Sequence, residues 1–389
     1  MVLQQSSTMP VVIEPVNTKA ALAEFMRLPG RLYRDFPAYV PPLTMDRKGF
    51  LDPAKAPLFK HGRAQYWIAR RGGEAVGRIS AQIDEAQPAA TFGDAGLFGC
   101  LDAIDDAAVV EALLAVATDW LRGQGKTRTV GPCLLSMNEE PGLLVDGHDQ
   151  PPLIMAPWHP PYLERHVLAA GFAACRDLHY WRLEHIEDHL RTLNERRRTV
   201  SAAAITIRPL NMRDIPGDIE IMRLVYNDAW KDNWGFVPLE PEDLAGLSRD
   251  MKPLVRPELG MIVERAGKTV AVAMILPNLF EITADLGSDP SVFGWAKLGY
   301  RTFFHKFSTG RIILLGVLSE FRQSVTGAMI AMAMVDEIIT RFTNYNNDLK
   351  WVEAGWVLDN NEPLRKLLRQ YGFSIARTLR LYDRDLGTD

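Results

Sequence analysis

The stretch WVEAGWVLDNNEPLRKLLRQYGF, residues 351–373, decides the fold of this chain. It begins as a run of large apolar residues that carries one acid, Glu353, and it ends in a short helix followed by Gly-Phe. The polar corner of Asp359, Asn360 and Asn361 supplies side chains that cap a helix N-terminus. The stretch therefore predicts a strand with one acid on it, a capped helix and a glycine stop.

Several sequence features occur twice along the chain in the same order, which indicates an internal repeat. The segment IEPVNTK at 13–19 matches IRPLNMR at 207–213. A strand–turn–strand pattern follows each segment, with Gly73 and Gly267 in corresponding turns. Each half closes on a helix that ends in Gly-Phe, followed by a strand. Each half therefore predicts the order β–α–α–β–β–β–α–β–α–β.

This repeat sets the domain organisation. We expect an α/β (α+β) protein of two tandem domains at 1–184 and 205–389, each a mixed twisted sheet flanked by helices. The charged, poorly apolar segment 185–204 fits a solvated linker helix between them. A length of 389 residues exceeds one ordinary core and agrees with two domains.

Composition limits the class of protein. Apolar residues make up 47% and charged residues 24% of the chain, as in soluble globular proteins. The net charge of −4 argues against a general nucleic-acid binder. No apolar run approaches the roughly 20 residues of a membrane-spanning helix, and the N-terminus lacks a secretory pattern, so we expect a cytoplasmic protein. Cys100, Cys133 and Cys175 lack metal-ligand spacing and fit buried free thiols; we expect no metal and no permanently bound cofactor.

A strand (RIILLGVL), a turn (SEFRQSVTG) and a helix (AMIAMAMVDEIITRF) follow one another at 311–342. This order resembles the GNAT (Gcn5-related N-acetyltransferase) superfamily, where an Arg/Gln-x-x-Gly-x-Gly/Ala loop at a helix N-terminus binds the pyrophosphate of an acyl-CoA. Arg322 and Gly327 hold the first and last positions of that motif, and Val325 replaces its middle glycine. Unpaired N–H groups and a partial positive charge make a helix N-terminus suitable for phosphate. The resemblance implies cofactor contacts by Val317, Leu318, Arg322, Gln323, Ser324, Val325, Thr326, Gly327, Ala328 and Asn361.

A second GNAT spacing joins Asn361 to Gly372, because members of the superfamily place Gly-Phe eleven residues after an Asn. The resemblance implies that this Asn contacts the pantetheine arm of the cofactor or caps the helix. Many members carry a Tyr four residues before the Gly as a general acid. Leu368 holds that position here and Tyr371 sits just before the Gly, so the proton donor must come from elsewhere.

The N-terminal half departs further from the superfamily. Its corresponding helix opens with Asp102, Asp105 and Asp106 and no arginine, and Pro160 stands where the Asn would be. Carboxylates cap a helix N-terminus well but repel a phosphate. We therefore expect a degenerate copy that does not bind CoA and that braces the active domain or shapes the acceptor site.

Nearly the full length of the chain resembles a bacterial group of tandem GNAT proteins. The stretches that carry this resemblance are RLYRDFPAYVPPL, GLFGCLDAIDD, GPCLLSMNEEPGLLVDGHDQPPLIM, YNDAWKDNWGFVPL and EAGWVLDNN…RLYD. The group is similar to the bacterial ceramide synthases, which N-acylate a sphingoid base. The resemblance implies a transferase of sphingolipid metabolism with acyl-CoA or acyl carrier protein as co-substrate.

Glu353 is the first candidate for the base that acyl transfer to an amine needs. Strand alternation puts it on the same face as Trp351 and Gly355, where aromatic surroundings would raise its pKa. The alternative is an ion pair across the sheet with an arginine such as Arg380. In GNAT proteins the strand that corresponds to the one carrying Glu353 splays from the strand before it, and a backbone amide of that earlier strand polarises the thioester carbonyl. The resemblance puts this amide at the strand end 316–318.

The N-terminal half offers His148 as a second candidate base. It lies between Asp146 and Asp149 in GLLVDGHDQPP, and histidine is a common general base. A turn stabilised by Asp side chains explains the same pattern.

The segment YNDAWKDNWGFVPL, residues 226–239, combines aromatic and polar side chains after the first helix of the second half. In GNAT folds this region lines the acceptor pocket, while hydrophobic packing around a loop is the alternative. The candidate substrate contacts are Tyr226, Asp228, Trp230, Asn233, Trp234 and, on the strand after the motif helix, Trp356.

An insertion near 277–310 replaces the tight hairpin that small GNAT proteins have at this place. It contains SVFGWAKLGYRTFFHKF at 291–307, in which bulky apolar residues alternate with Lys297, Arg301 and Lys306. Such a helix fits a membrane surface, a wall of a tunnel for a long acyl chain, or a core-facing amphipathic helix. The insertion therefore favours a lipidic substrate over a small soluble amine.

The sequence favours an N-acyltransferase that moves a long-chain acyl group from acyl-CoA or acyl carrier protein to a lipid-like amine, with a sphingoid base (ceramide synthesis) as the leading example. Direct attack on the thioester is expected, since the motif regions of the C-terminal half hold no cysteine. The alternatives are an aminoacyl-tRNA-dependent tandem GNAT transferase, which net acidity disfavours, and a non-catalytic acyl-CoA-binding module. Besides donor and acceptor, we expect contact of 291–307 with the inner membrane surface and no nucleic-acid partner.

Overall fold

The computed structural model describes residues 9–87, 92–186, 204–241, 256–346 and 348–387. The chain forms two compact units. Unit 1 contains Met1–Leu178, Ile282–Leu298 and Arg377–Asp389, and unit 2 contains His179–Glu281 and Gly299–Ala376. Each unit therefore takes a segment from the other half of the chain. Most of the linker predicted at 185–204 lies outside the described residues.

Unit 1 is built on the first half of the repeat. Its elements are β1 (Val11–Pro15), α1 (Lys19–Leu32), α2 (Thr44–Leu51), β2 (Gly62–Arg71), β3 (Glu74–Asp84), β4 (Ala95–Ala103), α3 (Ala107–Gly123), β5 (Arg128–Gly131), β6 (Leu143–Asp146), α4 (Leu163–Ala169) and the start of β7 (Ala173–Glu184). Its strands follow the order β1-β2-β3-β4-β5, and the end of β13 (Ser374–Asp385) pairs antiparallel with both β5 and β6. The parallel pair β4–β5 makes the sheet mixed.

Unit 2 repeats this plan. Its elements are the end of β7, β8 (Ile205–Arg208), α5 (Ile215–Trp230), β9 (Gly260–Arg265), β10 (Lys268–Pro277), β11 (Thr309–Val317), α8 (Val325–Tyr345), β12 (Trp351–Leu358) and α9 (Glu362–Gln370). The insertion between β10 and β11 contains α6 (Phe280–Thr283) and α7 (Val292–Phe304), and its segment Ile282–Leu298 belongs to unit 1. The strand order is β7-β12-β11-β10-β9-β8, and β11 and β12 form a parallel pair. The predicted α/β class, with mixed sheets flanked by helices, is confirmed.

The hairpins predicted from the repeat are present in both units. The turn between β2 and β3 has φ of +59° at Gly72 and +83° at Gly73, and the turn between β9 and β10 has +50° at Ala266 and +74° at Gly267. Two consecutive residues with positive φ make the tight turn that matches strand twist, and glycine adopts this conformation without steric cost.

Helices cover both faces of the sheet in unit 2. One face of α8 packs Ile330, Met334 and Ile338 against strand residues in a large buried cluster. On the opposite face, Met222 and Val225 of α5 pack against the sheet in a smaller cluster. Burial of these two apolar faces fixes where α5 and the start of α8 meet the end of β11. No helix in the described part of the chain is long and apolar enough to cross a bilayer.

Candidate functional site

The turn between β11 and α8 presents free backbone amides at a helix N-terminus. Ser324 is the N-cap of α8, and its Oγ accepts a hydrogen bond from the Gly327 amide at 3.0 Å. The amides of Val325 and Thr326 have no protein acceptor among the residues that the structure describes. An uncharged cap with open first-turn amides is the arrangement that binds an anion. The turn therefore has the open amides that a phosphate loop needs, and its contact with a cofactor stays a prediction.

The motif positions Gly327 and Val325 have different surroundings. A Cβ added to Gly327 would lie 2.0 Å from the carbonyl oxygen of Phe321, so only glycine lets the helix sit this close to its turn. The Val325 side chain is 80% exposed and contributes nothing to the core. The side chain thus stands beside the open amides, as expected from its place in the motif.

The end of α5 holds this turn in place. The carboxylate of Asp228 accepts hydrogen bonds from the Ser319 amide at 2.6 Å and from the Ser319 hydroxyl at 2.8 Å. Burial opposes ionisation of Asp228, but hydrogen bonds from Lys231 and Ser319 outweigh it and lower its pKa to about 2. The Arg322 guanidinium donates to the carbonyl of Ala229. Asp228, predicted as a substrate contact, thus positions the loop.

A shallow cleft lies against this turn. Its volume is about 320 Å³, and it is lined by Asp232, Ser319, Glu320, Arg322, Gln323 and Ser324. Arg322 is the one cation among these six residues, and it lies 3.5 Å from the carboxylate of Asp232. A phosphate here would be bound mainly by backbone amides, with Arg322 as the charged contribution.

The strands β11 and β12 pair only at their beginnings. Their parallel register runs from Thr309↔Trp351 to Ile312↔Ala354, although the strands continue to Val317 and Leu358. Pairing on the other side of β11 continues to its end through β10. The predicted splay is therefore present within the described residues. The Leu318 amide, at the position predicted to polarise the thioester, donates to the Val270 carbonyl at 3.0 Å.

Glu353 lies on β12 opposite Arg311, just before the point where the two strands separate, and it is fully buried. Its Oε1 accepts two hydrogen bonds from Arg182 on β7, from Nε at 2.9 Å and from Nη2 at 2.6 Å. The Arg182 guanidinium also lies over the Trp351 ring, 4.2 Å from its centroid. The predicted face is correct, but the arginine partner is Arg182, while Arg380 pairs with Asp177 in unit 1. A carboxylate held by a buried guanidinium fits the ion-pair alternative, and a catalytic role for Glu353 stays a prediction.

The second landmark of the opening stretch is a helix cap. Asn361 is the N-cap of α9, and its side chain accepts from the Leu364 amide at 3.3 Å. Tyr371 is buried and its hydroxyl donates to the Asp336 carboxylate at 2.8 Å, while Leu368 is fully buried in the core. Both residues near Gly372 therefore stabilise packing between helices α8 and α9. Of the two roles predicted for Asn361, capping is observed, and contact with a pantetheine arm stays a prediction.

The predicted aromatic substrate contacts are all partly exposed, and two of them stack on each other. Tyr226 and Trp230 have ring centroids 5.0 Å apart, and Trp230 lies so close to Gly316 that a Cβ there would be 2.5 Å from the ring. The backbone amide of Asn233 donates to the Trp230 carbonyl at 2.8 Å. Trp234 and Trp356 are partly exposed like Tyr226 and Trp230. A role of these residues as substrate contacts stays a prediction.

His148 belongs to unit 1 and has a structural partner. Its Nδ1 is 3.0 Å from the carbonyl oxygen of His159, and the Trp158 indole donates to the His148 carbonyl at 2.9 Å. The nearby Asp149 carboxylate accepts from the Gln150 side chain at 2.9 Å. The turn alternative accounts for these contacts, and a role of His148 as base stays a prediction.

The counterpart of the phosphate loop in unit 1 is occupied by its own side chains. The Asp106 carboxylate caps α3 by accepting from the Val109 amide at 3.2 Å, and it pairs with Arg71 at 2.6 Å. The Arg71 hydrogen bond, together with the amides at the cap, lowers the pKa of Asp106 despite burial. A carboxylate in this place competes with a phosphate, which agrees with the expectation that this half does not bind CoA.

Unit 1 also holds a buried polar face that sequence reasoning did not assign. The alternate residues Arg78, Ser80, Gln82 and Asp84 of β3 are all buried. The segment Cys133–Gly142 packs with this face, since the Gln82 side chain donates to the Cys133 carbonyl at 3.2 Å. The signal in the sequence was four polar residues at period two within RISAQID, between apolar neighbours.

No protein-family model matches the chain. It is 35% identical over 384 residues to the bacterial ceramide synthase of Caulobacter vibrioides (strain NA1000 / CB15N), covering 98% of this chain and 99% of that protein. It is 33% identical over 368 residues to protein YghO of Escherichia coli (strain K12), covering 95% of this chain and 94% of that protein.

Two solved structures match the fold at 12% identity. A tandem GNAT protein from the clavulanic acid biosynthesis pathway has a TM-score of 0.56 and covers 98% of this chain and 100% of its own. A GCN5-related N-acetyltransferase from Sphaerobacter thermophilus has a TM-score of 0.53 and covers 98% of both chains. These two likenesses show that the chain has the tandem GNAT fold, as the sequence predicted. Within that fold class, the chain belongs to the family of the Caulobacter ceramide synthase and YghO.

Proposed function

We propose that this acyltransferase moves an acyl group from acyl-CoA or acyl carrier protein to the amine of a lipid-like acceptor, such as a sphingoid base. The open amides of Val325 and Thr326 carry the donor part of this proposal. Both donors present phosphate next to a pantetheine thioester, and helix N-terminal amides suit that phosphate. The name of the Caulobacter relative, ceramide synthase, supports an acceptor of this class.

The chemistry needs no covalent intermediate on unit 2. The nitrogen of the neutral amine attacks the thioester carbon, the C–S bond breaks, and the proton that the nitrogen loses is balanced by the proton that the thiolate sulfur takes up. The splay between β11 and β12 opens beyond Ile312 and Ala354, which leaves backbone of both strands available to a ligand. We infer that the thioester lies in this splay, with Trp356 beside it as an apolar contact.

The insertion supports a lipid-like acceptor and a peripheral membrane position. Helix α7 contains no buried residue. Val292, Phe293, Tyr300, Phe303 and Phe304 are 66–87% exposed, and their spacing puts them on one side of the helix. No acid occurs from 291 to 307, whereas Lys297, Arg301 and Lys306 do. Exposed aromatic rings flanked by cations suit an anionic bilayer surface, where an acceptor with a long chain resides.

Acyl transfer with purified protein tests the donor and the acceptor. Palmitoyl-CoA and palmitoyl-acyl carrier protein would each be offered with sphinganine, and with lysine as the soluble amine. We expect an N-palmitoyl product from sphinganine, detected by mass spectrometry, with at least one donor. No N-acyl product from either donor would overturn the proposal, and equal turnover of lysine would overturn the lipid-like acceptor.

Vesicle co-sedimentation tests the role of α7 separately. We expect binding to vesicles of phosphatidylglycerol and phosphatidylcholine, and roughly tenfold weaker binding after Phe303→Ser with Phe304→Ser. Val12→Ser, which changes another exposed apolar residue, is the matched control. Equal binding of the α7 variant and the wild type would exclude α7 as the contact, and a concentration-dependent mass without lipid would indicate self-association instead.

A further inference from the structure

The loop Cys133–Gly142 of unit 1 buries a carboxyl group that has one oxygen without a hydrogen-bond partner among the described residues. Glu139 is 9% exposed, and its Oε2 makes no hydrogen bond to any residue that the structure describes. Its neighbour Glu140 instead forms a two-point ion pair with Arg47 of α2, at 2.8 and 2.6 Å. Of these two adjacent acids, Glu140 thus has both oxygens in an ion pair, whereas Glu139 has an oxygen without a partner. An unpartnered buried carboxyl is costly to keep, so it calls for a ligand or a reaction.

The surroundings of Glu139 are polar rather than apolar. On β3, the Asp84 carboxylate bonds to His61 at 2.9 Å, and the Ser80 hydroxyl donates to Gln82 at 3.0 Å. The Oδ2 atom of Asp84, like Oε2 of Glu139, has no hydrogen-bond partner among the described residues. Glu139 and Asp84 therefore both have acceptor capacity left for a ligand.

The charges that face Glu139 act mainly against its ionisation. Burial comes first, followed by the negative charges of Glu140 and Asp84, and together they raise its pKa well above the usual range despite Arg47. Tyr66 of β2 and Cys133 of the same loop also lie within electrostatic reach. A ligand that stabilises the carboxylate must therefore bring a positive charge.

We propose that Glu139 binds the primary ammonium group of an amine. On binding, the O–H bond of the carboxyl breaks, its proton goes to solvent, and Oε2 accepts an N–H···O bond from the ammonium. No group of three His, Cys, Asp or Glu side chains in the described part of the chain is placed to hold a metal ion. An organic ammonium needs only one such carboxylate, and so it fits this site better than a divalent cation.

Calorimetric titration with octylamine tests this site, with octanol as the uncharged probe. Wild-type protein should bind octylamine and not octanol, and should release about one proton per amine, read from titrations in two buffers of different ionisation enthalpy. Glu139→Gln should weaken octylamine binding at least about thirtyfold. Glu111→Gln, at an exposed position of α3, should leave it unchanged. Unchanged binding in Glu139→Gln, or no proton release by the wild type, would overturn the proposal.

The experiments can refute the Glu139 site and the proposed function independently of each other. If the wild type acylates sphinganine but octylamine binding does not depend on Glu139, the Glu139 site is wrong and the function stands. If no acyl transfer occurs but octylamine binding still depends on Glu139, the function is wrong and the site stands. A thermal midpoint of Glu139→Gln equal to that of the wild type at pH 5 establishes that the variant is folded.

Discussion

Val325→Pro isolates the backbone amide on which donor binding depends. Proline has no N–H, but it is tolerated at the first position of a helix, where that N–H has no intrahelical acceptor. Ser324 before it is already extended, at φ −109° and ψ 157°, as a residue before proline must be. This chain also places proline in the first turn of α5 and of α9. The variant should therefore fold normally while it loses one donor to the phosphate.

The size of the effect follows from the bond that is lost. A hydrogen bond to a charged group contributes about 1.5–3 kcal/mol, so the Kd for the acyl donor should rise roughly 10- to 100-fold. Binding of palmitoyl-CoA would be measured by calorimetry, and stability by thermal unfolding. Val325→Ala keeps the amide and removes the exposed side chain, and it should bind at least as well as the wild type. If Val325→Pro binds the donor as the wild type does, the α8 amides do not hold the phosphate.

Three further predictions concern the elements around this loop. Gly327→Ala should cost about 1–3 kcal/mol of unfolding free energy through its clash with the preceding turn, whereas Gly49→Ala, with open space around its Cβ, should stabilise by about 0.5–1 kcal/mol; urea unfolding checks both. Glu353→Ala should lower the free energy of unfolding by about 3–5 kcal/mol, because it leaves the buried Arg182 guanidinium without its partner. Glu353→Gln keeps a hydrogen-bond acceptor and should lower the free energy of unfolding less. A fall in kcat of about 10²–10⁴ in Glu353→Gln would instead support Glu353 as the catalytic base. Asp228→Asn should lower the thermal midpoint at pH 5–8, and the difference should shrink as the pH falls from about 4 toward 2, because the lowered pKa stabilises the fold only while the carboxylate is ionised; a pH-independent difference would contradict this.

The secondary structure of the second half of the chain could be predicted because it depends on residues that are close together in the sequence. The strand, turn and helix at 311–345 follow from an apolar run, a polar turn and a long amphipathic helix, all decided within a few residues. Asn361 has the side chain of a helix cap, and it caps α9. The hairpin glycines were equally visible, because positive φ is a property of the local backbone.

Long-range pairing was not visible in the sequence. Alternation placed Glu353 on the correct face of β12, yet it could not say which strand lies beside that face. The actual partner, Arg182, is 171 residues away on β7, a strand whose end belongs to unit 2 while its start belongs to unit 1. A boundary drawn along the chain at 184 cannot express such an exchange. Strand order depends on tertiary packing, whereas the face of a residue depends on its own strand.

The exposure of α7 and the unpartnered oxygen of Glu139 could not be predicted from the sequence, for a related reason. An amphipathic pattern such as that of α7 gives the angle of its apolar face but not whether the face is covered. In SMNEEPG, the two acids look equivalent, and only the position of Arg47 distinguishes Glu140 from Glu139. In both cases the chemistry depends on whether a partner is present, and partners come from elsewhere in the chain.

The two repeats differ most at one corresponding position, the cap of the helix that follows the fourth strand. In unit 1 the cap is Asp106, a carboxylate that pairs with Arg71 and takes up the positive end of α3. In unit 2 the cap is Ser324, which is neutral and leaves the amides of Val325 and Thr326 open. A phosphate needs that positive end for itself, so a charged cap excludes it and a neutral cap admits it. Since the charged cap of α3 competes with a phosphate, we infer that the buried polar face around Glu139 serves a different ligand, and a cation is the ligand that a buried carboxyl oxygen without a partner selects.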